Sequence, residues 1–178
     1  DGGAGNDRLW GGSGADSLIG GDGSDSYYVD NVGDSVSETN ANPTTGGIDL
    51  VYSSLATHTL GAHIENGRIL AAGAANLSGN ALDNLLYAGA GNDRLWGGTG
   101  ADSLVGGDGN DSYYVDNAGD TVTESNANPA SGGIDLVYSS LSACTLGANI
   151  ENGRILAAGA ANLSGNALDN LLYAGAGN

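Results

Sequence analysis

An aspartate recurs at every ninth position in two runs, Asp7, Asp16, Asp25 and Asp34, then Asp93, Asp102, Asp111 and Asp120. Most of them close a Gly-Gly-x-Gly-x-Asp segment and lead into x-apolar-x, as in residues 2–10, 11–19 and 20–28. Carboxylates spaced this way behind glycine turns could do one kind of chemistry, the capture of a hard cation. Glycine tolerates positive φ, and with no Cβ it lets backbone carbonyls converge on an ion. An all-oxygen set of six or more ligands suits Ca²⁺, whereas Mg²⁺ asks for tight octahedral geometry and Zn²⁺ for His or Cys. The candidate ligands are those eight aspartates and Asn84, which stands nine residues before Asp93. Carbonyl candidates are Gly3, Gly5, Gly12, Gly14, Gly21 and Gly23 in the first run, and Gly89, Gly91, Gly98, Gly100, Gly107 and Gly109 in the second.

Such ligands need elements that bring them into columns. The glycine half of each block must turn, and the x-apolar-x half makes a short strand with its middle residue inward. The inward positions are Leu9, Leu18, Tyr27 and Val36, then Leu95, Leu104, Tyr113 and Val122. One block makes half a coil, so Asp7 is expected over Asp25 and Asp16 over Asp34, on opposite edges. A longer period overlies this one. Residues 7–92 match 93–178 at a fixed offset, with 13 differences in 86 positions. Exact-period repetition points to a solenoid. The chain is therefore expected to be one continuous all-β solenoid over 1–178, with repeat units 7–92 and 93–178.

From Asp34 to Asn84 is 50 residues, five nonapeptides and five residues more. The surplus is assigned to the loop at 40–47, where Pro43, Gly46 and Gly47 break any strand, and to its copy at 126–133. Residues 48–86 are rich in Leu, Ile, Val and Ala without a sustained helical face, which predicts metal-poor strands.

The segments GGAGND, GGSGAD, GGDGSD, GGTGAD and GGDGND, followed by VDNVGDSVSE and VDNAGDTVTE, resemble the RTX (repeats-in-toxin, haemolysin-type calcium-binding) family. The resemblance implies a right-handed parallel β-roll with Ca²⁺ between its coils. It also implies passage through a bacterial type I secretion machinery, and a chain that folds only in calcium-rich surroundings outside the cell. Some positions depart from the pattern. Asn84 and Asn170 replace the site aspartate, so a site bridging Asn84 to Asp102 should be weaker, and Ala88 replaces the first glycine of its block. The Asp34 and Asp120 blocks have lost most glycines and are expected to recruit Glu38 and Glu124. The expectation is two good sites and one marginal site per unit.

Composition agrees with a cation-dependent fold. Acidic residues number 21 against four arginines, a net charge of -17, with 33 glycines. A compact chain so charged repels itself until cations neutralise it. The same charge argues against nucleic acid as a partner, and no apolar run is long enough to cross a membrane. The chain begins and ends within a repeat, which predicts a longer parent protein, and the single Cys144 excludes an internal disulfide.

Other readings of the motifs fare less well. A flexible acidic linker would not keep nine-residue spacing with inward leucines. A phosphate loop needs a following helix and, in the Walker form, a lysine, which is absent. An EF-hand needs flanking helices. His58 and His63 become Cys144 and Asn149 in the second unit, so they are no shared site. Glu65 with Arg68, and Glu151 with Arg154, are expected to form a salt bridge or hydrogen bond. Trp10 and Trp96 sit outward, one coil from Tyr28 and Tyr114, predicting an external aromatic stack that a glycan or other surface ligand could use. The sequence thus points to a non-catalytic, calcium-folded extender of a secreted bacterial adhesin. The alternatives are the secretion region of an extracellular hydrolase, or a carbohydrate-binding module.

Overall fold

The computed structural model describes residues 1–42, 44–124, 126, 128 and 130–175. Pro43 and Pro129, predicted as strand breakers, and the last three residues of the second unit lie outside the described residues. All regular structure among the described residues is β, and the strands stack in parallel as a solenoid of about nine turns. One seven-stranded sheet takes Arg8–Trp10, Ser26–Val29, Leu50–Ser53, Asn66–Ile69, Leu85–Ala90, Ser103–Asp108 and Thr121–Thr123. The other takes Thr57–Thr59, Asn76–Ser78, Arg94–Trp96, Ser112–Val115, Leu136–Ser139, Asn152–Ile155 and Leu171–Tyr173. Short parallel pairs, Ser17–Ile19 with Ser35–Ser37 and Ala143–Thr145 with Asn162–Ser164, continue the alternation at the ends.

The register fixes the length of each coil. Leu9 sits beside Tyr27 and Leu18 beside Val36, so the nonapeptide coils hold 18 residues. Tyr27 then pairs with Val51, Val51 with Gly67 and Gly67 with Leu86. The coil that carries the 40–47 loop is therefore six residues longer than a nonapeptide coil. The next is two shorter and the one after is one longer. The five-residue surplus is not confined to the loop as expected, because the chain takes two residues back in the turn at 54–56 and keeps nine residues per half-coil through the next turn, at 60–65. There His63 adopts a left-handed φ of 64°, and Asn149 in the copy adopts 63°.

Each 86-residue unit contains nine strand-bearing half-coils, an odd number. The second unit therefore starts on the opposite side of the solenoid. Arg8–Trp10 lies in one sheet and its equivalent Arg94–Trp96 in the other.

The core is a ladder of inward residues, with Leu9, Leu18, Tyr27, Val51, Leu77, Leu86, Leu95, Leu104, Tyr113 and Val137 all buried. Each large apolar side chain removed from water contributes about 1.5–3 kcal/mol. Gly67 occupies an inward strand position because Leu60, Leu77 and Leu86 already fill the space a Cβ would need. Val36 and Val122 are only half-buried, for the long loop interrupts the ladder above them and, among the described residues, no further strand pairs there.

Candidate metal centres

The turns come first. All twelve glycines named as carbonyl candidates have positive φ, from 83° at Gly12 to 140° at Gly100. Coils pack closely at these points. A Cβ on Gly21 or Gly23 would strike the carbonyl oxygen of Gly3 or Gly5 in the coil before it, and Gly107 and Gly109 stand in the same relation to Gly89 and Gly91. The first glycine of a block is required for another reason. At Gly2, Gly11 and Gly97 a Cβ would collide with the carboxylate of the block's own aspartate.

Those carboxylates form two columns, one on each edge. The backbone N–H of Asp7 donates to Asp25 Oδ1 at 2.7 Å, and that of Asp25 to Asp49 Oδ1 at 2.7 Å. Asp49 N–H then donates to Glu65 Oε2 at 2.9 Å. On the other edge Asp16 N–H donates to Asp34 Oδ1 at 3.1 Å. Further along that edge Ala75, Asp93, Asp111 and Asp135 donate in turn to Asp93, Asp111, Asp135 and Glu151 at 2.7–2.9 Å. One oxygen of each acid is thereby fixed. The second, Oδ2, is buried without a hydrogen-bond partner at Asp7, Asp16, Asp25, Asp93, Asp102 and Asp111.

Asp49, Asp135, Glu65 and Glu151 belong to these columns although nine-residue counting did not reach them. The signal for Asp49 was present: Gly46-Gly47-Ile48-Asp49 followed by Leu50-Val51-Tyr52 is a shortened glycine turn with the same strand tail. The long loop moves it off the period. Three expectations change with the structure. Glu38 does not serve Asp34. It lies with Asp25 and Asp49, one ligand atom from each within 4.8 Å of the others, and Glu124 lies likewise with Asp111 and Asp135. Asp34 needs no recruit, since its Oδ2 accepts the backbone N–H of Asp30 and Asn31 at 3.1 and 3.0 Å, and Asp120 is held the same way. Asn84, expected at a weaker site, spends its amide on the protein. Its Nδ2 donates to the carbonyls of Ile64 and Glu65 at 3.1 and 3.0 Å, and its Oδ1 accepts Asn80 N–H at 2.8 Å. Asn170 repeats the arrangement.

Burial sets the electrostatics. Removal from water, reinforced by neighbouring carboxylates, pushes Asp111 up to about 8 and Asp49 and Asp135 up to about 7. Burial also raises Asp25, Glu38, Asp93 and Asp102. Asp34 moves the other way. Its desolvation would raise it, but backbone N–H bonds from Asn31, Asp16 and Asp30 together hold it below the ordinary value. Acids so raised, with oxygens lacking donors, are a site short of positive charge.

Residues 1–36 and 78–113 match the family model of the RTX calcium-binding nonapeptide repeat, in four copies. Those two stretches carry RTX-type calcium-binding repeats. No curated protein and no solved structure matches it. RTX nonapeptides bind Ca²⁺, and this donor set fits that ion: carboxylate oxygens without partners, at glycine turns, in clusters that among the described residues are made of Asp and Glu alone.

Several residues fall outside the RTX turns. Glu65 serves the Asp49 N–H, while Arg68 lies over the Tyr87 ring at 5.9 Å, so the expected mutual pair gives way to two separate roles. His58 and Cys144 are half-buried at equivalent strand positions. Burial lowers the imidazole and raises the thiol, keeping both neutral. Outside, Tyr28 and Tyr52 stack at 5.0 Å, and Tyr114 and Tyr138 do the same. Trp10 does not join the stack as expected but donates through Nε1 to Asp30 at 3.3 Å, bordering a groove of about 480 Å³ with Arg8 and Leu70.

Proposed function

We propose that this chain is a structural segment of a secreted bacterial protein that folds when it meets calcium outside the cell. Passage through a type I system while unfolded, and service as an extender in an adhesin, complete the reading. One observation carries it. Of the seven buried carboxylate oxygens without partners among the described residues, six are at RTX-motif aspartates, Asp7, Asp16, Asp25, Asp93, Asp102 and Asp111, and the seventh is Glu38 Oε1. An unpartnered buried charge is costly, so the fold needs a counter-charge at those points. With Ca²⁺ held by these carboxylates and the carbonyls of the positive-φ glycines, each ion would lock two adjacent coils and offset part of the -17 charge. An ion that binds only the folded state adds about 2.7 kcal/mol per site at 100-fold over Kd. Several sites would supply most of the roughly 5–15 kcal/mol by which domains are stable. The role assigned is mechanical and non-catalytic.

The test is a Ca²⁺ titration of chelator-treated protein at about pH 8, where the buried acids lose their protons, followed by far-UV circular dichroism and tryptophan fluorescence, with Mg²⁺ as control. A cooperative coil-to-β transition with calcium alone is expected, and Asp93→Ala should move its midpoint to higher calcium. A chain already folded in chelator and indifferent to calcium would overturn the reading.

A further inference from the structure

The turn that ends each nonapeptide run is built differently from the turns before it. Asp25, Glu38 and Asp49 are 1%, 6% and 2% exposed, and Asp111, Glu124 and Asp135 are 1%, 4% and 1% exposed. A Cβ placed on Gly20 would strike Tyr27 OH, Glu38 Oε1 and Asp25 Oδ2 together, so these three atoms surround a single point. In the first unit none of the three has a hydrogen-bond partner. In the second, Tyr113 OH donates to Glu124 Oε2 at 2.6 Å while Asp111 Oδ2 has no partner. The chain's four arginines, Arg8, Arg68, Arg94 and Arg154, are all exposed on strands, so no guanidinium is buried with either cluster. Three buried carboxylates without a counter-charge are not a stable arrangement.

Position in the chain gives the cluster its meaning. Asp25 closes the last full nonapeptide turn. Glu38 and Asp49 stand at the two ends of the long connection that follows, just outside residues 40–47. We propose that each cluster is a separate Ca²⁺ site, made from side-chain carboxylates and a tyrosine oxygen, that staples the base of the long loop to the nonapeptide array. The inference rests on the calcium reading above, because Asp25 and Asp111 take part in both. It adds that Glu38 and Glu124, outside the nonapeptide motif, are direct ligands. The ion joins the metal-rich coils to the apolar coils that begin at Asp49 and Asp135. Oxygen ligands of irregular arrangement favour calcium over magnesium.

The experiment is equilibrium dialysis against radioactive Ca²⁺ on the full chain, for wild type and for the double variant Glu38→Gln with Glu124→Gln. The variant is expected to bind two fewer ions per chain and to keep a calcium-induced gain of β-structure through its remaining turns. Limited proteolysis should then cut within 40–47 and 126–133 faster than in wild type at the same calcium. An unchanged stoichiometry in the variant would overturn the staple while leaving the nonapeptide sites intact. A wild type that binds no calcium would overturn both readings. If the double variant does not fold, Glu124→Gln alone, with the first unit untouched, must lose one ion, and its failure to do so counts equally against the staple.

Discussion

At the scale of single residues, the carboxylates work under two regimes that depend on whether calcium is present. Asp111 at about 8, and Asp49 and Asp135 at about 7, hold protons in the metal-free fold that an unfolded aspartate, near 3.8, would release. A group with a raised folded pKa stabilises the fold below its unfolded pKa, and that contribution fades as pH rises through the folded value. Calcium-stripped protein should therefore lose stability between about pH 4 and pH 8. Chelator-treated protein that is coil at about pH 8 should gain β-structure, read by far-UV circular dichroism, as pH falls to about 5.5 and the buried acids take up protons. With calcium in excess the trend reverses, because the ion requires the ionised carboxylate. Metal-free β-structure that stays level or grows as pH rises would contradict this account of the buried acids.

At the scale of elements, the nonapeptide half-coils were plain in the sequence and the coils after them were not. Inward Leu9, Leu18 and Tyr27 and the stacking of Asp7 on Asp25 follow from a strict period of nine, since period fixes register. Past Asp34 the period breaks. Coils of 24, 16 and 19 residues hide the fact that Asp49 and Glu65 continue the same column. Counting cannot recover a column whose spacing is set by a loop. Residue type alone hides what Asn84 does in the fold. By residue type it is a weakened ligand, but in the fold its Nδ2 gives two buried carbonyls the positive partner that an ion gives elsewhere. Asn84→Asp should thus cost about 1–3 kcal/mol in calcium-free protein, the price of leaving buried groups unsatisfied. It should also add one bound calcium ion, measured by dialysis, while the calcium-free cost is read by denaturant unfolding in chelator at about pH 5.5, where protonated acids hold the metal-free fold. Equal calcium-free stability in the variant would show that the amide is no substitute for a cation.

At the scale of the whole molecule, each coil is closed by the one after it. Leu86 is fully buried under Leu104, while its equivalent Leu172, in the last paired strand, is 38% exposed. A third 86-residue unit joined in register should bury Leu172 and lengthen the particle by roughly 22 Å, for four and a half coils at a strand spacing near 4.8 Å. Small-angle scattering on two-unit and three-unit chains in calcium would measure it. A maximum dimension that hardly grows would count against the extender role.

The odd number of half-coils in a unit settles how neighbouring units face the world. Trp10 with Tyr28 and Tyr52 looks out from one flank, and Trp96 with Tyr114 and Tyr138 from the other. Two units side by side in the chain cannot press the same strip against one flat surface. They can touch two surfaces at once, one on either hand, so a longer run of units would carry its contacts alternately left and right, like rungs on which two parallel rails are fixed.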